Sequence, residues 1–217
     1  MMEPISQITV TSNKNNEPVI IEGNLDKLYC VGIGTDAAVF RSYEIPQYAF
    51  KVFATDKLFK KDMELNVYER IGESSFFPSC YGQGHNFIVL SYEEGITLYD
   101  AVVKGIHIPP QVIEDVEQAR KEIYSKGMNP RDIHLKNVIM NEGRAKLIDV
   151  SEYMKEGDDG RWAYLKRGYK DYYHLIDGKA IPIWMVESVR KWYNIHSAKF
   201  DYREFTEKMV KLFKIKE

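Results

Sequence analysis

Asn129-Pro130-Arg131-Asp132-Ile133-His134-Leu135-Lys136-Asn137, followed a few residues on by Leu147-Ile148-Asp149-Val150, is the stretch on which the fold reading turns. Before it, Pro109-Pro110 opens a helix whose apolar residues Val112, Val116, Ala119 and Ile123 share one face, and Gly127 stops it. After it, Val138 to Met140 and Ala145 to Ile148 read as two short strands joined through Asn141-Glu142-Gly143, a hairpin with a glycine-bearing turn. Asp132 and Asn137 therefore stand between a helix and a strand, and Asp149 ends the second strand. A carboxylate at Asp132 can accept a hydroxyl proton or align the hydroxyl for attack. The amide oxygen of Asn137 and the carboxylate of Asp149 are hard ligands suited to Mg²⁺.

Working back toward the N-terminus, the chain reads as strands punctuated by glycine. Leu28 to Ile33, Ala38 to Tyr43 and Tyr48 to Phe53 are three strand runs. The turn between the first two carries Gly32-Ile33-Gly34-Thr35-Asp36-Ala37-Ala38-Val39. Glycines there let backbone N–H groups approach a polyphosphate, and Val39 would cover a base. Lys51 has apolar neighbours on both sides, so it must reach water or an anionic partner. From Asp56 to Ile71 the period becomes helical, with Phe59, Met63, Val67 and Ile71 in a stripe and Thr55 or Asp56 as N-cap. Glu64 lies at the margin of that stripe, while its rival Glu69 points away from it. Phe87 to Tyr92 is a further strand, and Gly95 marks the break between a sheet with one helix and a mostly helical remainder. From Trp162 onward the pattern is helical, with Ile183, Val186, Val189 and Tyr193 in a stripe. The layout is a two-lobed α+β protein.

Composition narrows the class. At 217 residues the chain can bury one sizeable core, or two small ones sharing a cleft. Thirty Lys and Arg against 32 Asp and Glu leave a net charge of -2, so no overall basic field recruits nucleic acid or an anionic membrane. Cys30 and Cys80 stand in no CxxC pair and read as small buried hydrophobes. Met1 to Asn16 shows no charged leader followed by an apolar run, and no stretch reaches the length of a membrane span. A soluble cytoplasmic protein is the expectation.

A glycine-rich hairpin, a strand lysine, a helix glutamate, an Asp and Asn five apart, and an Asp after the next hairpin occur in this order. That is the protein-kinase signature set. The chain resembles the protein-kinase superfamily over roughly residues 28 to 151, and it is similar to RIO-type kinases and aminoglycoside-type phosphotransferases in several departures. Ala37 stands where a third glycine is usual, Pro130 replaces the histidine of His-Arg-Asp, and His134 stands where most protein kinases carry lysine. Asp149-Val150-Ser151 replaces Asp-Phe-Gly, and no Ala-Pro-Glu motif follows.

The resemblance implies a bilobal protein-kinase-like α+β fold: an antiparallel β-sheet N-lobe with one helix over residues 1–94, and a shortened, mostly helical C-lobe over 95–217. It implies Gly32, Gly34 and Val39 around ATP, Lys51 on its phosphates with Glu64 as partner, and Glu93 in the segment whose backbone meets adenine. Asp132 becomes the catalytic acid-base group, and Asn137 and Asp149 the ligands of Mg²⁺, with Mn²⁺ as a substitute ion. The implied activity is ATP-dependent phosphotransfer to a serine or threonine of a protein. The altered loop keeps open a small-molecule kinase or RIO-like ATPase, and a non-catalytic nucleotide-binding scaffold. Lys136 is a candidate to neutralise the transferred phosphate. Arg161 to Lys170 forms a basic, aromatic-laced segment, read as a solvated helix face or as a receiver of an acidic partner.

Overall fold

The computed structural model describes residue 5 and residues 7–196. A hairpin of β1 (Ile8–Thr11) and β2 (Ile20–Gly23) comes first. A five-stranded sheet comes next, built from β3 (Leu28–Ile33), β4 (Ala37–Ser42), β5 (Tyr48–Phe53), β6 (Cys80–Gln83) and β7 (Phe87–Ser91) in the order β3-β4-β5-β7-β6. Every neighbouring pair is antiparallel. Both faces are covered. Phe40, Phe50, Val52 and Phe87 pack under Ile5, Ile8, Val10 and Val19 of the N-terminal segment. On the other face Ala37, Phe53, Ile88 and Leu90 join the main core. Double coverage is why the sequence around Lys51 is nearly continuous in apolar residues rather than alternating.

Between β5 and β6 runs α1 (Leu58–Ile71), and here the sequence reading needs correction. Thr55–Lys57 is a 3-10 turn, and the helix starts after Lys57 with no side-chain cap from Thr55 or Asp56. Its buried face is Lys61, Glu64, Val67, Tyr68 and Ile71, whereas Phe59 is 54% exposed. The C-terminal half packs on the core through Val67, Tyr68 and Ile71. The N-terminal half faces polar partners: Lys61 Nζ donates to Gln83 Oε1 at 3.0 Å, and Glu64 meets Lys51. Charged residues with matching partners therefore replace the N-terminal half of the expected apolar stripe, while Val67 and Ile71 keep its C-terminal half.

Gly95 links the sheet to the second lobe. Its φ is 132°, and a Cβ there would lie 2.4 Å from the carbonyl oxygen of Met140. Then β8 (Ile96–Thr97) pairs with β9 (Val138–Asn141), which pairs with β10 (Arg144–Leu147). Glu142 and Gly143 turn that hairpin with φ of 49° and 75°, the left-handed pair a two-residue connection requires. Between β8 and β9 lie α2 (Leu98–Lys104) and α3 (Pro110–Ser125). The α3 helix buries Val112, Val116, Ala119 and Ile123, with Asp115 beside them. Asp115 accepts from Arg144 Nε at 2.8 Å and from the Ala145 N–H at 2.9 Å, fixing the hairpin onto the helix.

Two more helices close the described chain, α4 (Arg161–Ile176) and α5 (Ile183–His196). Trp162 is buried and donates its indole N–H to Glu117 of α3. In α5 the expected stripe is only partly covered: Ile183 is exposed, Val186 and Val189 are half-buried, and the Tyr193 side chain lies outside the described residues. Residues 197–217 of the expected second lobe also lie outside them. Cys30 and Cys80 are half-buried rather than buried. Among the described residues, no helix is long and apolar enough to cross a membrane.

Candidate active site

The site is built from the inner face of the sheet and the loop before β9. Register carries the first part. Gly32 pairs with Val39, Val39 with Lys51, and Lys51 with Ile88, so these residues form one row across β3, β4, β5 and β7. The turn above them is closed by a hydrogen bond from the Gly34 N–H to the Ala37 carbonyl at 2.9 Å. Lys57 and Lys60 of the following segment each approach the Asp36 carboxylate at 3.9 Å.

Lys51 Nζ lies 2.6 Å from Glu64 Oε2 and 3.1 Å from Asp149 Oδ1. Glu64 is fully buried. Burial opposes charge on Lys51, yet Asp149 and Glu64 outweigh it and hold the ammonium above its ordinary pKa. Burial pushes the Glu64 carboxyl up to about 7, with Lys51 opposing. Burial also works against the Asp149 carboxylate, but Lys51 overrides it and keeps the group below its usual range. An ammonium that faces two carboxylates at these distances retains its proton, so Lys51 and Glu64 form an ion pair. Glu64 Oε1 has no hydrogen-bond partner among the described residues.

The loop from Asn129 to Asn137 is held by its neighbours at nearly every turn. The Asn129 N–H donates to the Tyr153 carbonyl at 2.9 Å, and the side chain of Arg131 donates to the carbonyls of Glu156 and Gly157. Asn137 Nδ2 donates to the Asp132 carbonyl at 3.1 Å. The Ile148 N–H donates to the Asn137 carbonyl at 2.9 Å, which ties the loop to the strand that delivers Asp149. Asp132 and Asp149 both have left-handed backbone, with φ of 56° and 63°. For residues other than glycine such a conformation costs about 1 kcal/mol or more, and surrounding bonds must impose it.

Burial raises the Asp132 carboxyl to about 6, although the Arg161 guanidinium in contact with it acts the other way. The same burial, with Arg161 adding to it, lowers His134 to about 4. His134 Nδ1 accepts the Lys136 N–H at 3.2 Å, and its Nε2 lies 3.9 Å from Asp132 Oδ1.

The structure thus brings Lys51, Glu64 and Asp149 into direct contact, with Asp132 and Asn137 in the loop bonded to the strand of Asp149. Glu69 is exposed. Glu93 uses its side chain to bridge the lobes, 2.7 Å from Lys146 of β10. Lys136 sits 4.5 Å over the Tyr99 ring and 3.8 Å from Glu187. The basic segment at α4 is engaged internally: Lys166 pairs with Glu117 at 2.7 Å, and Arg167 lies 3.5 Å from Asp171. Two features escaped the sequence reading, the Arg161–Asp132 contact and the bond from the Asp132 N–H to Asp159 Oδ2 at 2.8 Å. Their only trace in the sequence is the Asp158-Asp159-Gly160-Arg161 run, whose distance from Asp132 in space is set by tertiary packing.

An antiparallel sheet with one helix, a hinge, and a mostly helical second lobe around this cluster define a protein-kinase-like bilobal fold. Over 198 residues the chain is 32% identical to the "Putative serine/threonine-protein kinase YrzF" of Bacillus subtilis (strain 168), covering 88% of this chain and 92% of that protein. The chain belongs to the protein-kinase superfamily. It is also 28% identical over 140 residues to the "Probable serine/threonine-protein kinase fnkB" of Dictyostelium discoideum, covering 57% of this chain and 26% of that longer protein. Among solved structures, the Rad53 kinase domain with SCD2 aligns with a TM-score of 0.45 and 15% identity over 60% of this chain and 52% of that one. No family model matches the chain.

Proposed function

We propose that this protein is an ATP- and Mg²⁺-dependent phosphotransferase, a minimal serine/threonine protein kinase, with its nucleotide cleft between residues 1–94 and 95–217. The observation that carries the reading is the contact of Lys51 with both Glu64 and Asp149, at 2.6 and 3.1 Å. A lysine oriented this way presents its charge to the phosphates of a nucleotide lying under the Gly32–Val39 turn. Val39 and the backbone near Glu93 would bound the adenine.

The donor set fits a magnesium ion. Asn137 uses its amide nitrogen on the Asp132 carbonyl, which leaves its oxygen as the end for a cation, and Asp149 offers a carboxylate held below its usual pKa. Two hard oxygens rather than a full cage suit Mg²⁺, which keeps water and phosphate oxygens in its shell. When bound, the ion neutralises charge on the phosphates. Asp132 takes the proton of the attacking hydroxyl or holds that hydroxyl in line. Lys51 fixes the phosphates, and Glu64 fixes Lys51. Positioning and charge neutralisation supply most of the acceleration.

A second reading changes the acceptor to a small molecule. It is favoured by the stretch after Asp149, which folds back on the catalytic loop: Asn129 binds the Lys155 carbonyl, and Arg131 binds those of Glu156 and Gly157. That arrangement leaves little backbone to cradle a peptide. Purified protein with Mg²⁺ and γ-labelled ATP, with and without casein or myelin basic protein, separates the readings. Label on protein in the wild type but not in Asp132→Ala supports a protein kinase. ATP consumption with no labelled protein supports a small-molecule acceptor. ATP binding without consumption defeats both.

A further inference from the structure

Phosphoryl transfer spreads negative charge over the oxygens of the moving group, and a fixed cation beside them lowers the barrier. Under the phosphotransferase reading, on which this inference rests, Lys51 and Mg²⁺ serve the nucleotide side, and a further cation near Asp132 would serve the acceptor side. Lys51 is committed on the sheet side, between Glu64 and Asp149. Lys136 is drawn toward Tyr99 and Glu187. His134, near the same Asp132 oxygen, accepts a backbone N–H at Nδ1 and is therefore a neutral imidazole rather than a cation.

Arg161 is placed differently. Its guanidinium touches Asp132 Oδ1 from the first turn of α4. One carboxylate sets both partners, since Asp159 Oδ2 accepts the Asp132 N–H at 2.8 Å and lies 3.7 Å from Arg161 Nε. The chain leading into α4 is pinned to the catalytic loop through Arg131 and Asn129. The Arg161 side chain is still 37% exposed, which leaves it room to turn.

We propose that Arg161 is a catalytic residue of this site: it rests on Asp132 in the free protein and turns to the γ-phosphoryl oxygens when the acceptor hydroxyl takes its place on Asp132. In the step, the acceptor oxygen bonds to the γ-phosphorus and the bond from that phosphorus to the β,γ-bridging oxygen breaks. The electron pair leaves on ADP, and the hydroxyl proton goes to the Asp132 carboxylate. Arg161 contributes only its charge and its paired N–H donors.

The test uses the whole chain, with ATP turnover and calorimetric binding of Mg-ADP measured on the wild type, Arg161→Gln, Arg161→Lys, the double variant Arg161→Gln/His134→Lys, and Arg167→Gln as a charge control on the same helix. Arg161→Gln is expected to lose about 100-fold in kcat, the scale for removing one transition-state donor, while Mg-ADP affinity stays within about two-fold. Arg161→Lys should fall between it and the wild type, which shows that the loss is not one of folding. The double variant should recover about ten-fold over Arg161→Gln, because a lysine at 134 returns a cation to the same carboxylate oxygen. Arg167→Gln should match the wild type. Turnover by Arg161→Gln at or above the wild-type rate overturns the proposal, since the guanidinium would then only cover Asp132. A double variant no faster than Arg161→Gln overturns it too, as does a parallel loss of Mg-ADP binding. Failure of the phosphotransferase reading itself looks different: the wild type would consume no ATP before any substitution is made.

Discussion

Breaking the Lys51–Glu64 pair in a double-mutant cycle gives a prediction that needs no ligand. Glu64 is fully buried and Lys51 nearly so, with 2.6 Å between Nζ and Oε2. Removing one member of an isolated buried pair costs about 3–5 kcal/mol, because a charge is left unpaired. Lys51 is not isolated, since Asp149 stands 3.1 Å away on its other side. Glu64→Gln therefore loses one charge-assisted hydrogen bond and keeps the cation compensated, for about 2 kcal/mol. Lys51→Met leaves the Glu64 carboxylate buried without its partner and costs about 3 kcal/mol. In the double variant neither charge remains, so the two losses should not add, and the coupling should be about 2 kcal/mol. Urea unfolding of the four proteins, with m held constant, measures it. Coupling below about 0.5 kcal/mol, the level of independent sites, would refute the reasoning.

Three other perturbations probe the loop, the hairpin and the hinge. With the Asp132 carboxyl raised to about 6 by burial, and the ionised form required of a base, kcat/KM should fall as pH drops through about 6; a profile flat across that range would contradict the role. Asp115→Ala removes the acceptor of the Arg144 guanidinium and of the Ala145 N–H, and because Arg144 is largely exposed the loss should be about 2–3 kcal/mol in chemical unfolding, mostly from the orphaned N–H. Gly95→Ala sets a Cβ 2.4 Å from the Met140 carbonyl at a φ of 132°, so it should cost about 2 kcal/mol or more, and a variant as stable as the wild type would show that the connection between the lobes yields freely.

Much of the scaffold is legible in the sequence where one physical rule dominates. The stripe Val112, Val116, Ala119 and Ile123 behaves as read, because α3 is amphipathic and packs on one side. The β9–β10 hairpin is legible from Asn141-Glu142-Gly143, whose glycine accepts the left-handed backbone of a tight turn without cost. The reading fails where tertiary partners override local pattern. On α1 Val67 and Ile71 are buried and Glu64 meets Lys51 as read, but Lys61 is buried because Gln83 waits there, and Phe59 is left outside. The β1–β2 hairpin and β6 are not legible, because four-residue strands carry too little pattern to identify even beside turn residues such as Asn13, Pro18, Gly84 and Asn86. Around the candidate site, residues in order along the chain can be picked out, but the contact of Arg161, read only as the start of a basic segment, with Asp132 cannot. Nothing in its local sequence says that a helix start some thirty residues on returns to Asp132.

The most direct test of the central claim is Mg²⁺-dependent turnover of ATP by the wild type beside Asp132→Asn and Asp149→Asn, with nucleotide binding measured on each. The account predicts that the wild type transfers the γ-phosphate, and that each variant folds but is slower by about 100-fold or more. Wild-type protein that binds Mg-ATP without consuming it, or variants that turn over as fast as the wild type, would contradict it.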